Sequence, residues 1–205
     1  NKRIIELYRC YNLLMRKATT EIVLDILATT YPTLPMHEAF GHDPFQMLIA
    51  VVLSQRSRDG VTVPTAQTLF ARAHTPQALC ALAQSELESI IKPIGFYHTK
   101  ASAIKKLSAI IVERFNGVVP ATEQELLSLP HVGRKTANII LTCFFHTPQI
   151  AVDIHVHRIT NRLGWVQTTD VLATETELSN LIPQSYHEVV NRVFVAHGQQ
   201  CCLPR

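Results

Sequence analysis

Residues Leu129–Asn138 read L-P-H-V-G-R-K-T-A-N, and after an apolar stretch Ile150–His155 read I-A-V-D-I-H. Pro130 disfavours helical backbone at Leu129, so a first helix is expected to end there. Gly133 permits either a positive φ or the close approach of a phosphate. Lys135 then falls in the first turn of a second helix. A hairpin between two helices aims its N–H groups outward, and the second helix adds the positive end of its dipole. Such an element grips backbone phosphates without reading sequence. A lysine at that position can serve as a neutral amine nucleophile, with Asp153 following 18 residues later as a lone carboxylate. Each part also has a plainer reading. Proline and glycine punctuate loops generally, most lysines at helix starts are solvated, and Asp153 fits an N-cap for a helix over His155–Leu163.

Outward from the hairpin, helix signals dominate. Asp43-Pro44 and Thr75-Pro76 each read as an N-cap followed by a first-turn proline. Ser85–Glu88, Thr122–Glu125 and Thr174–Glu177 fit capping boxes. Lys100–Asn116 carries Ile104, Leu107 and Ile111 on one face, with Gly117 as the residue past its end. Ala137, Ile140, Leu141, Phe144 and Phe145 share one helical face. Val61–Val63 and Ile150–Val152 are too short to found a sheet. The pattern predicts an all-α protein of about ten helices. Connections are short, so two domains, if present, are intimately joined, and Tyr31–Asp43 is the best boundary segment.

Composition excludes several classes. Apolar residues make up 47% of the 205, which is neither disordered nor fibrous. The net charge of +3 permits a polyanionic partner without demanding one. No apolar run reaches the roughly 18 residues of a membrane span, and the start N-K-R-I-I-E-L-Y-R-C-Y lacks the apolar block of a signal peptide. A cytosolic protein is expected, nucleoid-associated if bacterial. Five cysteines (Cys10, Cys80, Cys143, Cys201, Cys202) without regular spacing argue against a disulfide framework. Cys10, Cys80 and Cys143 read as core or helix residues.

Taken together, L-P-x-V-G-R-K-T-A-N, an apolar helix and V-D-x-H resemble the endonuclease III family of DNA glycosylases and AP lyases, in the helix-hairpin-helix superfamily. D-P-F-Q-M-L-I-A-V-V-L-S-Q-R-S-R-D (from Asp43), I-I-K-P-I-G-F-Y-H-T-K-A (from Ile90) and N-G-V-V-P (from Asn116) are similar to family segments too. The likeness runs from about Arg16 to the C-terminus. It implies two helical domains: a helical barrel over 37–147, with the helix-hairpin-helix at about 122–145, and a domain of both chain ends, 1–36 with 148–205. It also implies a monomer that binds double-stranded DNA across a cleft and flips out a damaged pyrimidine. Lys135 and Asp153 are implied as catalytic, Lys135 as the nucleophile that forms a Schiff base with the sugar. Partial burial, the helix N-terminus and Arg134 are expected to favour its neutral form. His131, Gly133, Arg134 and Thr136 are implied as DNA-binding, as are Arg56, which would fill the hole left by the flipped nucleotide, and Phe96, which would wedge into the duplex. The alternatives are a phosphate contact or surface charge for Arg56 and core packing for Phe96.

Two features depart from the family pattern. His131 stands where the hairpin usually has glycine, and a positive φ there would strain it by about 1 kcal/mol. The alternative for His131 is an added phosphate contact. The family also commonly ends in a four-cysteine loop that holds a 4Fe–4S cluster. Cys202 matches the first ligand by its distance from His197-Gly198, and the other three positions do not follow in H-G-Q-Q-C-C-L-P-R. A cubane cluster needs four thiolates, so the ending in mid-motif favours a longer gene product over a cluster-less form. Residues 1–15 precede the usual family start. Ile4, Ile5, Tyr8 and Tyr11 suggest an added amphipathic turn, and Met15 could equally be a second start.

Three rival functions remain to be weighed. A non-catalytic helix-hairpin-helix module needs neither Lys135 nor Asp153. A metal-dependent hydrolase would use Asp153, His155 and His157, but residues two apart on a helix do not share a face. An adenine- or thymine-mismatch glycosylase is the nearest rival within the family. Relatives that lack the lysine only remove the base, so Lys135 argues for the bifunctional enzyme.

Overall fold

The computed structural model describes residues 19–204. Cys10 and the turn expected around Ile4, Ile5, Tyr8 and Tyr11 lie outside them. Among the described residues there are helices and short turns and no strand, so the all-α expectation holds. Val61–Val63 lies inside a helix, and Ile150–Val152 is extended without pairing. The chain divides into two compact units, one of residues up to Leu34 together with those from His146, the other Pro35–Phe145.

The Pro35–Phe145 unit is assembled around one helix. After α1 (residues 19–30) of the other unit come α2 (Pro35–Phe40), α3 (Pro44–Ser54) and α4 (Asp59–Arg72). Then follow α5 (Pro76–Ala81), α6 (Gln84–Ile91), α7 (Tyr97–Phe115), α8 (Glu123–Leu127) and α9 (Arg134–Phe145). In α3 Phe45 and every residue from Met47 to Leu53 is buried. A helix apolar on all sides must be surrounded, and α2, α4, α7 and α9 pack against it. Truncating one of its fully buried residues, such as Leu48, to alanine is expected to cost about 2–5 kcal/mol. Phe40 and Phe70 meet edge to face at 5.3 Å between ring centroids, which joins α2 to α4.

The unit of the two chain ends contains α1, α10 (Ile154–Arg162), α11 (Val171–Leu181), a 3-10 turn (Gln184–Tyr186) and α12 (His187–Gln200). Leu24, Val156, Ile159, Leu178, Val190 and Phe194 lie in its core. Trp165 stands edge to face on Phe194 at 5.5 Å. Polar ties hold the N-terminal part to the C-terminal part. Tyr186 Oη donates to Asp25 at 2.9 Å, and Arg192 donates to the carbonyls of Tyr31 and Pro32. At Gly198 α12 lies close against α10: a Cβ there would collide with the His155 ring and lie 3.1 Å from the Arg158 guanidinium.

Helix starts test the capping signals. Asp43 accepts from Phe45 and Gln46 N–H, and Thr75 accepts from Ala78 N–H, each ahead of its proline. Two expected boxes are corrected. Ser85 lies inside α6, whose N-cap is Ala83, and the Glu88 carboxylate instead takes Gln84 and His98. Thr174 lies inside α11, where Asp170 caps by accepting Leu172 and Ala173 N–H. α7 begins at Tyr97, three residues before Lys100, and ends as expected: Asn116 at φ 53° and Gly117 at φ 82° both turn their N–H onto Ile111.

Candidate active site

The hairpin is built by α8 and α9. Thr122 caps α8: its hydroxyl accepts Glu125 N–H at 3.3 Å and donates to the Glu125 carboxylate at 2.6 Å. The carboxylate thus meets the hydroxyl rather than the Thr122 backbone N–H of a regular capping box. α8 ends at Leu127, so Pro130 follows the helix end instead of making it. Ser128 has already closed the turn, with its N–H and its hydroxyl on the Glu125 carbonyl. Val132 N–H then bonds the Leu129 carbonyl at 3.3 Å, and α9 opens with Ala137 N–H on the Gly133 carbonyl at 2.9 Å. Leu129 and Val132 are buried and pin the turn, while His131, Gly133 and Arg134 stand in solvent.

His131 adopts φ 60°, the left-handed conformation that glycine takes most easily. Gly133 is not among the residues with positive φ, and a Cβ built there meets nothing within 4 Å. No protein atom therefore requires glycine at 133. Its smallness keeps the outer face of the turn open. Arg134 reaches back to Glu123 at 3.4 Å, tying α9 to the start of α8.

Lys135 is the second residue of α9 and half-buried. The first turn of a helix ends on N–H groups with no intrahelical acceptor and carries the positive end of the dipole. Thr136 is 4% exposed, so its side chain faces inward and only its backbone N–H is left for an anion at the hairpin.

In the other unit Asp153 starts α10. Its Oδ1 accepts from His155 and Val156 N–H, both at 2.9 Å, so the N-cap role is real. His155 and His157 turn to different partners: His155 Nδ1 lies 3.0 Å from Arg158 Nη2, and His157 Nδ1 lies 2.7 Å from the Thr174 hydroxyl.

Arg56 and Phe96 come together. Both are left-handed, at φ 58° and 60°, and the Arg56 guanidinium lies 5.7 Å from the Phe96 ring centroid. Phe96 is 64% exposed, which excludes core packing as its reason. An exposed cation–π pair contributes about 0.5–1 kcal/mol.

Two residues that the sequence did not flag organise this surface. Lys100 is 5% exposed, and its ammonium donates to the carbonyls of Leu53 at 2.8 Å and Gln55 at 2.5 Å. Burial pushes its pKa below the usual lysine value. The Gln55 side chain donates to the His131 carbonyl at 2.9 Å. A lysine near a helix start reads as solvated, and a glutamine after Ser54 reads as an ordinary polar residue. Their partners lie 45 and 76 residues away, beyond any local signal.

The four-thiolate cluster implied by the resemblance does not fit the residues described. Cys202 Sγ accepts from Arg162 Nη1 at 3.1 Å, and Cys201 Sγ lies 3.6 Å from the Tyr31 hydroxyl. Among the described residues no three His, Cys, Asp or Glu side chains converge as metal ligands. No described helix is long and apolar enough to cross a membrane.

Known proteins resemble this chain in sequence and fold. The model of the HhH-GPD superfamily base excision DNA repair protein matches residues 49–184. Endonuclease III of Thermotoga maritima is 46% identical over 163 residues, covering 80% of this chain and 76% of that protein. Endonuclease III of Escherichia coli is 35% identical over 191 residues, covering 93% and 90%. A solved trapped endonuclease III–DNA covalent intermediate superposes with a TM-score of 0.82 at 35% identity, covering 92% of this chain and 89% of that one. A non-covalent endonuclease III–DNA complex gives 0.83 at 36%, covering 92% and 88%. This chain belongs to the endonuclease III family of base-excision DNA glycosylases and AP lyases, within the HhH-GPD superfamily.

Proposed function

We propose that the chain is a bifunctional glycosylase/lyase that removes oxidised pyrimidines from duplex DNA through a Schiff base on Lys135. The observation that carries the reading is Lys135 in the first turn of α9, behind a hairpin whose outer face is left open at Gly133. The likeness to a trapped endonuclease III–DNA covalent intermediate supports a covalent step. In that step the neutral Nζ of Lys135 attacks C1′ of the deoxyribose. The electrons of the glycosidic bond leave with the damaged base, which takes up a proton. Opening of the sugar ring and loss of an amine proton give the imine. A proton is then removed from C2′, the electrons form C2′=C3′, and the 3′ phosphate departs.

Asp153 stabilises the positive sugar or moves one of these protons. The hairpin, through His131, Gly133, Arg134 and the backbone at Thr136, grips a phosphate. Arg56 fills the vacated stack, and Phe96 wedges beside it; their mutual contact and the exposure of Phe96 support this pairing.

Borohydride reduction on a thymine-glycol duplex tests the reading. A covalent adduct at Lys135 is expected, since only an imine is reducible there. Lys135→Gln should abolish trapping and strand cleavage while DNA binding survives. A Lys135→Gln chain that cleaves abasic DNA at the wild-type rate would overturn it.

A further inference from the structure

We infer that Gln55 is a positioning residue that couples the phosphate-gripping hairpin to the hole-filling Arg56, with Lys100 as the buried anchor of the joint. The inference rests on the roles proposed for Arg56 and the hairpin and adds how the two are held in step. Arg56, Phe96 and His131 are three of the four described non-glycine residues of this unit in left-handed backbone, the fourth being Asn116 at the end of α7. Such backbone persists only where the surroundings over-determine it. Here the surroundings are one connected set of bonds. The Lys100 ammonium takes the Leu53 and Gln55 carbonyls at the end of α3, where the helix has no further N–H to offer. Ser57 N–H closes onto the Ser54 carbonyl at 2.8 Å, which leaves Arg56 at the apex of the turn. Lys100 also donates its own N–H to the Phe96 carbonyl at 3.0 Å, so one residue fixes the backbone on both sides of the Arg56–Phe96 contact.

Gln55 extends this set to the hairpin. Its amide donates to the carbonyl of His131, the residue whose left-handed backbone shapes the turn. A hairpin seated on a phosphate therefore also sets where Arg56 stands along the strand. Without the Gln55 amide the two surfaces remain folded, but each finds the DNA independently.

A double-mutant cycle on duplex DNA with a single abasic site tests this. Gln55→Ala is expected to lower kcat/KM about tenfold, with thermal melting little changed because the side chain is only half-buried and its bond to His131 is solvent-exposed. In an Arg56→Ala background the same change should cost less than about twofold, because the group it positions is gone. Gln55→Glu keeps the size but removes the donor and should lose at least as much as Gln55→Ala. If Gln55→Ala does not fold, the cycle run with Gln55→Glu decides. Wild-type activity in the Gln55 variants, or losses that multiply fully with Arg56→Ala, would overturn the coupling. An Arg56→Ala chain with wild-type activity would instead sink the role proposed for Arg56, and the trapping at Lys135 would still be read separately.

Discussion

A histidine held in left-handed backbone carries about 1–2 kcal/mol of strain, and His131 is held there at φ 60°. Replacing it with glycine relieves that strain but frees the unfolded chain, at about 0.4–1 kcal/mol. His131→Gly should therefore stabilise the protein by up to about 1 kcal/mol, read by urea unfolding. A clear destabilisation would show that the histidine side chain makes contacts worth more than its strain. Asp153 allows a cleaner separation. Asparagine caps helices about as well as aspartate, so Asp153→Asn should keep the two bonds to His155 and Val156 N–H and with them the melting temperature. If the carboxylate is also used in chemistry, base release should fall by about a hundredfold or more in the same variant. Normal base release with an unchanged melting temperature would leave Asp153 as a cap alone. At this scale the residue types of the hairpin were legible in the sequence, because the chemistry depends on local order: proline, glycine, lysine. The positive φ at 131 was legible only as a conditional strain.

Among the elements, α12 depends on a missing side chain. A Cβ at Gly198 would press into the His155 ring and the Arg158 guanidinium, which also holds the carbonyls of Gly198 and Cys202. Gly198→Ala should destabilise the α10–α12 contact by about 1–3 kcal/mol, seen as a lower midpoint in denaturant. A variant as stable as wild type would mean that the two helices slide apart at no cost. The end of α3 depends on a buried cation. Lys100→Met leaves the Leu53 and Gln55 carbonyls without their donor and should cost about 1–3 kcal/mol. Burial holds the Lys100 pKa below 10.5, its ordinary value. The unfolded chain then binds more protons than the folded one between the two pKa values, so the lysine's contribution is full above the unfolded value and falls as pH drops through the folded one. The stability gap between wild type and Lys100→Met should therefore widen as pH rises from about 7 toward about 10. A gap that narrows over that range would refute the burial argument. Capping signals were legible at Asp43 and Thr75 because cap and proline are adjacent. They misled at Ser85 and Thr174, where another N-cap, Ala83 or Asp170, starts the helix earlier and leaves the serine or threonine inside it.

For the whole molecule, the cofactor is the sharpest test. The described residues offer Cys202 to Arg162 and Cys201 to Tyr31, and no group of ligands converges. The 205-residue chain should therefore purify colourless, without the absorbance near about 400 nm of an iron–sulfur centre, and with far fewer than about four irons per chain. A straw-brown preparation with matching sulfide would overturn the fit drawn from these thiols.

What the sequence determined by itself was the helical class, the family, and the residues on which its chemistry is expected to turn. These are properties of short stretches: a 3.6-residue period, a cap beside a proline, a turn followed by a lysine. Tertiary structure alone decided which of these residues meet. Arg56 and Phe96 were separate expectations, 40 residues apart in the chain, until α3 and α7 set their loops side by side. Lys100 and Gln55 had no sequence signal at all, because a buried ammonium is acceptable only once two distant carbonyls have been folded around it. Local order specifies which groups are available. Burial, which depends on the packed whole, decides which polar group is bound to which.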